Sequence, residues 1–191
     1  LIAANRDEML DRPWDPPGEH WHDRPGVVAG RDRLAGGSWL GMNKSGVVAA
    51  ILNRTDALGP AADKRSRGEL VLEALDHNDA ADAADALSAI APEAYRTFNL
   101  IIADNRDAYW LCSRDGASPV AATEIPVGLS MITSTDLNDT RNFRIATYLP
   151  QFRDAAEPDP DKGDWTAWQE VLRQRHSHPD AGPSGAMCIV T

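Results

Sequence analysis

Apolar and polar positions alternate in short blocks along most of this chain. Residues 27–30, 38–42 and 47–52 are apolar runs, separated by a polar, Gly-ended loop at 31–37 and the turn Asn43-Lys44-Ser45-Gly46. Runs of that length between turn residues predict a β-meander. Residues 97–103 and 108–112 flank Asn105-Arg106-Asp107 and predict a hairpin. Residues 119–123 and 128–133 predict two more strands. The runs at 1–4 and 187–191 predict a strand at each end.

Helical spacing appears in four places. Leu70, Val71, Leu72 and Leu75 form a stripe predicting a helix over about 68–77, with Ser66 and Glu69 spaced as a capping box. Asp79 is placed to cap an Ala-rich helix reaching about Ile90. A third helix is predicted over about 141–149. A fourth, capped by Asp164, runs to about Arg175 with Trp165, Trp168, Val171 and Leu172 inward. Residues 11–26 are dense in Pro, Trp and His and predict an ordered loop pinned by Trp14 and Trp21, because proline removes backbone donors. Residues 55–63, 154–163 and 176–185 read as loops, the middle one a solvated linker. About eight or nine strands and four helices, with strands in neighbouring runs, predict an α+β fold of mostly antiparallel sheet.

Length and composition bound the function. A chain of 191 residues suits one domain, with or without an appendage; 42% hydrophobic and 25% charged residues are an ordinary globular mixture. The formal net charge of −10 disfavours nucleic acid or an anionic membrane surface as partner through bulk charge. Cys112 and Cys188 both lie in apolar runs and do not make a disulfide framework, which suits a reducing, cytoplasmic setting. No apolar run approaches the roughly 20 residues that span a bilayer. Both ends read as cut within structure, with strands of the parent protein missing on either side.

Candidate chemistry concentrates where the first apolar run stops. Asn5-Arg6-Asp7-Glu8 sets an amide, a guanidinium and two carboxylates in succession, with Arg12 following. Such groups at the end of a buried strand are costly unless they bind something or one another. A solvated turn is the other reading. Asn53-Arg54 ends the 47–52 run in the same way, so two amides and two guanidiniums would favour a carboxylate, a phosphate or a developing oxyanion if the strands align. Asn105-Arg106-Asp107 repeats the letters in a plain turn, so the tripeptide alone decides nothing. Gly36-Gly37 before Trp39 reads either as a bulge or as exposed N–H groups facing an anion. Arg65 and Arg67 make a local cationic spot, unless acids such as Asp63 and Glu69 neutralise it. His20 and His22 form an H-x-H pair, a weak signal for a metal.

Taken in order, Ala4-Asn5-Arg6-Asp7-Glu8, Arg12-Pro13, Ala29-Gly30-Arg31-Asp32, Gly36-Gly37-Ser38-Trp39-Leu40-Gly41, Gly46, Leu52-Asn53-Arg54, Arg65-Ser66-Arg67-Gly68-Glu69 and Phe98-Asn99-Leu100-Ile101-Ile102-Ala103-Asp104 strongly resemble the NRDE family. This is also called the transport-and-Golgi-organisation-2 family. The resemblance covers essentially the whole chain as a single domain, 1–191. It implies a four-layer α-β-β-α sandwich like that of N-terminal-nucleophile hydrolases. There a Cys exposed by Met removal uses its own α-amino group as general base to cleave non-peptide linear amides. It further implies catalytic roles for Arg6 in polarising the thiolate or substrate carbonyl, for Asp7 in orienting the α-amino group, and for Asn53 and Asn5 as amide donors. Glu8, Arg12, Trp39, Arg54 and Arg67 would support or contact the substrate, a small-molecule amide or acyl compound, with no metal and no cofactor. Leu1 cannot be the nucleophile, and Cys112 and Cys188 are not replacements, so this stretch alone is expected to be inactive. The alternative implied by the family is a non-catalytic carrier of haem or an acyl-CoA-like lipid, with His20 or His22 as an axial ligand.

Overall fold

The computed structural model describes residues 1–55, 57–182 and 185–189. The chain divides into two compact units. One comprises Leu10–Pro126 with Ser134–Asp136; the other comprises Leu1–Met9, Val127–Thr133 and Leu137–Thr191.

The first unit is a seven-stranded antiparallel sheet in which every strand pairs with its neighbour in sequence. The strands are β1 (Trp14–Gly18), β2 (Val28–Asp32), β3 (Leu40–Met42), β4 (Val48–Asn53), β5 (Phe98–Ala103), β6 (Ala108–Ser113) and β7 (Ala121–Glu124). Helices α1 (Gly68–Ala74) and α2 (Ala80–Ser88) lie between β4 and β5 in sequence. Strand alternation decides which face they cover. Ala29, Ala49, Phe98, Leu100, Ile102 and Leu111 point into one core with Leu70, Val71, Ala74 and Leu75 of α1 and Ala80, Ala83, Ala84 and Leu87 of α2. The alanines at i, i+3 and i+4 let α2 approach closely, and each large side chain buried here contributes roughly 1.5–3 kcal/mol. The α+β antiparallel reading therefore holds. The described sheet and the two helices on its face correspond to two of the four layers that the resemblance implies.

Local chemistry explains the caps and turns. Asp79 accepts the N–H of Asp82 and caps α2 as expected. Asp104 accepts the N–H groups of Arg106 and Asp107, forming the β5–β6 turn, and that of Ala80 at the start of α2. These N–H donors hold its carboxyl down at about 2. The expected Ser66–Glu69 capping box does not form. Arg67 is the N-cap of α1 without a side-chain cap bond, and Ser66 instead accepts from Gly68. Gly37 and Gly68 explain each other: a Cβ on Gly37 would sit 2.5 Å from the Gly68 carbonyl carbon, and Ser38 N donates to Gly68 O at 3.1 Å. This backbone crossing docks the start of α1 on the loop before β3.

The loop expected over residues 11–26 contains β1, a sheet edge whose register breaks between Asp15 and Gly18. An edge strand with a bulge tolerates Pro16 and Pro17, because their missing N–H groups take no ladder bond. Trp21 packs against the core and Trp14 is exposed.

The second unit packs α3 (Phe143–Asp154) and α4 (Thr166–Leu172) around Met131, Ile145, Tyr148, Leu149, Phe152, Val171 and Met187. Asn142 caps α3 by accepting the N–H groups of Arg144 and Ile145. The helix extends past the expected end at 149, carrying Pro150 inside it. No strand forms over residues 1–4 or 128–133. Leu1 and Ile2 are exposed, and an apolar run without a neighbouring strand has no ladder to join. The expected terminal strand over 187–191 is not formed at 187–189, where Cys188 is half-buried; residues 190 and 191 lie outside the described residues.

Candidate functional site

In the helical unit the segment Asn5 to Glu8 is anchored by its own side chains. Asn5 Nδ2 donates to the carbonyl of Leu172 at 2.7 Å and to that of Met187 at 2.9 Å, tying the end of α4 to the last turn. Asp7 Oδ2 accepts from Arg144 Nη1 of α3 at 2.9 Å. Between them, the Arg6 guanidinium lies 3.6 Å from the Glu8 carboxylate, with its side chain 22% exposed. Glu8 also accepts the N–H of Met9. The polar run is exposed at Asn5, Asp7 and Glu8, but it is not a strand end and its side chains do not close a local turn: Asn5 and Asp7 tie it to two helices, with Arg6 between them.

Arg12, Trp39, Asn53, Arg54 and Arg67 belong to the sheet unit. Arg12 Nε and Nη2 both reach Asp32 Oδ2, at 2.9 and 2.6 Å. Burial alone would raise the Asp32 carboxyl, but Arg12 and the N–H groups of Ala35 and Leu34 outweigh it and hold it below the usual range. Asp15 is clasped in turn by Arg33 and Arg31, which bring it down to about 2 against the effect of burial. Arg12 is thus part of an ion-pair ladder along β1 and β2. Trp39 lies over Gly30, where a Cβ would be 2.4 Å from its ring, and meets Trp14 edge-on at 5.8 Å. Asn53 ends β4 with its side chain exposed.

Arg54 turns inward and organises a network that sequence reasoning missed. Its Nη1 donates to Asn99 Oδ1 at 2.8 Å and to Cys112 Sγ at 3.2 Å, and its Nη2 donates to Asp136 Oδ1 at 2.8 Å. Arg114 donates to the other Asp136 oxygen at 3.0 Å, Trp110 Nε1 donates to Asn99, and Asn99 Nδ2 donates to the Thr135 carbonyl. The signal was available: Asn99 stands inside the apolar run 98–103, and a fully buried amide in a strand demands partners. Burial pushes the Cys112 thiol up, although Arg54 and Arg114 act against it.

The remaining candidates separate cleanly. Arg65 is neutralised by Glu69 and Glu73. The Gly36 N–H donates to the Asp32 carbonyl and is not presented to an anion. Arg67 Nη1 donates to the carbonyls of Ala57 and Thr97, at 2.7 and 3.0 Å. His20 Nε2 is engaged by the Pro16 carbonyl at 2.8 Å. Among the described residues no group of three or more His, Cys, Asp or Glu is placed to hold a metal ion, and no helix is long and apolar enough to cross a membrane.

The sequence profile of the family described as Transport and Golgi organisation 2 matches residues 1–179. The chain belongs to this family. The human Transport and Golgi organization protein 2 homolog is 34% identical over 140 residues, covering 68% of this chain and 49% of the relative. The mouse homolog is 35% identical over 109 residues, covering 54% and 38%. The chain thus spans half or less of the length of these family members. A penicillin V acylase from Agrobacterium tumefaciens is similar in structure with a TM-score of 0.38 and 18% identity, covering 57% of this chain and 40% of that one. That likeness is too distant to bear on chemistry.

Proposed function

We propose that this family member is an N-terminal-nucleophile-type amidohydrolase that cleaves a non-peptide linear amide or acylated amine. The observation that carries the reading is the anchoring of Asn5 and Asp7, which fixes a guanidinium and two carboxylates in one short segment of the helical unit. Fixed charge is what catalysis asks of a site, because a preorganised donor pays no reorganisation when charge develops. The nucleophile in this reading is an N-terminal cysteine. Its α-amino group takes the thiol proton, and the thiolate attacks the amide carbon. The C–N bond breaks as the amine leaves with that proton, and water then hydrolyses the thioester to the free acid. Arg6 stabilises the thiolate or the carbonyl oxygen. Cys112 is not that nucleophile, being 2% exposed, with a thiol raised by burial.

The test is intact-mass analysis of the protein purified from its own cells, before and after exposure to an acyl-amide electrophile. A mature chain beginning with cysteine and gaining one acyl group there supports the proposal. Retained Met ahead of that cysteine, or no adduct on it, removes the proposal.

A further inference from the structure

Within the helical unit, the polar atoms of the Asn5–Glu8 segment are engaged unevenly. Asn5 Nδ2 is taken up by the carbonyls of Leu172 and Met187. Glu8 accepts the Met9 N–H with Oε1 at 3.0 Å and sets Oε2 3.6 Å from the Arg6 guanidinium. Asp7 accepts Arg144 Nη1 with Oδ2 at 2.9 Å, and its Oδ1 has no hydrogen-bond donor among the described residues. A carboxylate offers about four lone-pair positions, so this oxygen keeps acceptor capacity.

The partner that aims it is itself fixed. Arg144 stands in the first turn of α3, and its own backbone N–H is one of the two that the Asn142 cap accepts. The next residue, Ile145, is fully buried in the core it shares with Tyr148, Leu149 and Phe152. The Arg144 side chain is 19% exposed and that of Asp7 42%, so the guanidinium is the sheltered member of the pair and the carboxylate the one that meets solvent. A partly solvated pair of this kind adds little to stability. Its physical effect is to hold one short side chain in one rotamer.

We infer that Arg144 is a positioning residue for amide cleavage, holding Asp7 so that Oδ1 receives an N–H of the reacting α-amino group. The identity of that amine rests on the amide-cleaving reading above. A carboxylate aimed by the hydrogen bond on its other oxygen restricts rotation of the amine and leaves the nitrogen lone pair to take the thiol proton. Once that proton arrives the amine is an ammonium, and the same oxygen faces the new charge. Only the Nη1–H bond to Oδ2 is required, so the orientation holds whatever else the guanidinium touches.

The test pairs kinetics with a direct view of the Asp7 side chain, in the protein as its own cells produce it. Arg144→Met removes the donor at similar length, and Arg144→Lys keeps one. The Asp7 χ1 angle, read from NMR three-bond couplings, should be a single rotamer in the wild type and Arg144→Lys and averaged in Arg144→Met. Across a panel of N-acyl amines, kcat should fall about tenfold or more in Arg144→Met with KM and melting temperature unchanged, and Arg144→Lys should recover most of it. If the wild type turns over an acyl amine and Arg144→Met matches it, or if Asp7 keeps one rotamer in Arg144→Met, the role of Arg144 alone is overturned. If the wild type turns over none, the amide-cleaving reading fails and the role of Arg144 in cleavage falls with it.

Discussion

Arg54 and Asp136, 82 residues apart in the chain, are joined by a 2.8 Å hydrogen bond from Nη2 to Oδ1. Arg54 holds Asn99 and Cys112 with its other amino group, so one side chain pins the 134–136 segment to the middle of the sheet. Arg54→Ala strips Asp136 of one of its two guanidiniums and leaves the buried Asn99 with fewer donors. The expected loss is about 2 kcal/mol in urea unfolding. Arg54→Lys should recover only part of it, because an ammonium cannot reach three acceptors with the geometry of a fork.

Acid should destabilise the fold over a defined window. Asp15, Asp104 and Asp115 have folded-state pKa values lowered from 3.8 to about 2. Groups lowered on folding contribute stability that is complete above the unfolded value and lost as pH falls through the folded one. The melting temperature should therefore fall as pH drops from about 4 towards 2. In Asp104→Asn, which keeps an acceptor for the turn N–H groups but does not titrate, that fall should be shallower.

The Gly37–Gly68 crossing admits no side chain. Gly37→Ala places a Cβ against the Gly68 backbone, and neither segment can withdraw without undocking α1 from the sheet. A loss of about 3 kcal/mol or failure to fold is expected. Gly36→Ala is the control: its φ of 75° is strained for alanine but nothing lies within 4 Å, so about 1 kcal/mol is expected, read by the same denaturant titration.

Asn5 ties three segments of the helical unit together. Asn5→Ala removes two hydrogen bonds at once and should cost about 1–2 kcal/mol. Hydrogen exchange should locate the loosening at the end of α4 and around Met187. Asp7→Asn should cost less than about 1 kcal/mol, since its pair with Arg144 is partly solvated.

The strands that were legible in advance are those whose signal is local. The β5–β6 hairpin and its Asn105-Arg106-Asp107 turn, the β2–β4 meander and the Asp79 cap all follow from residues within a few positions of one another. What escaped depends on partners. β1 looked like a loop because Pro16 and Pro17 cannot donate, and its pairing through Asp15–Arg31 becomes visible only in the fold. The run at 1–4 looked like a strand but has no neighbouring strand among the described residues. Of the nominated site residues, Arg12 and Arg54 are engaged by Asp32 and Asp136, partners 20 and 82 positions away. No spacing rule reaches so far.

Arg6, held between Asn5 and Asp7, is the residue proposed to serve amide cleavage. Its most direct test is steady-state hydrolysis of a panel of N-acyl amines by the protein as its own cells produce it, beside Arg6→Gln in the same background. Turnover of at least one acyl amine is expected, falling by about a hundredfold or more in Arg6→Gln with an unchanged melting temperature. No turnover above background across the panel, or turnover that Arg6→Gln leaves intact, would contradict it.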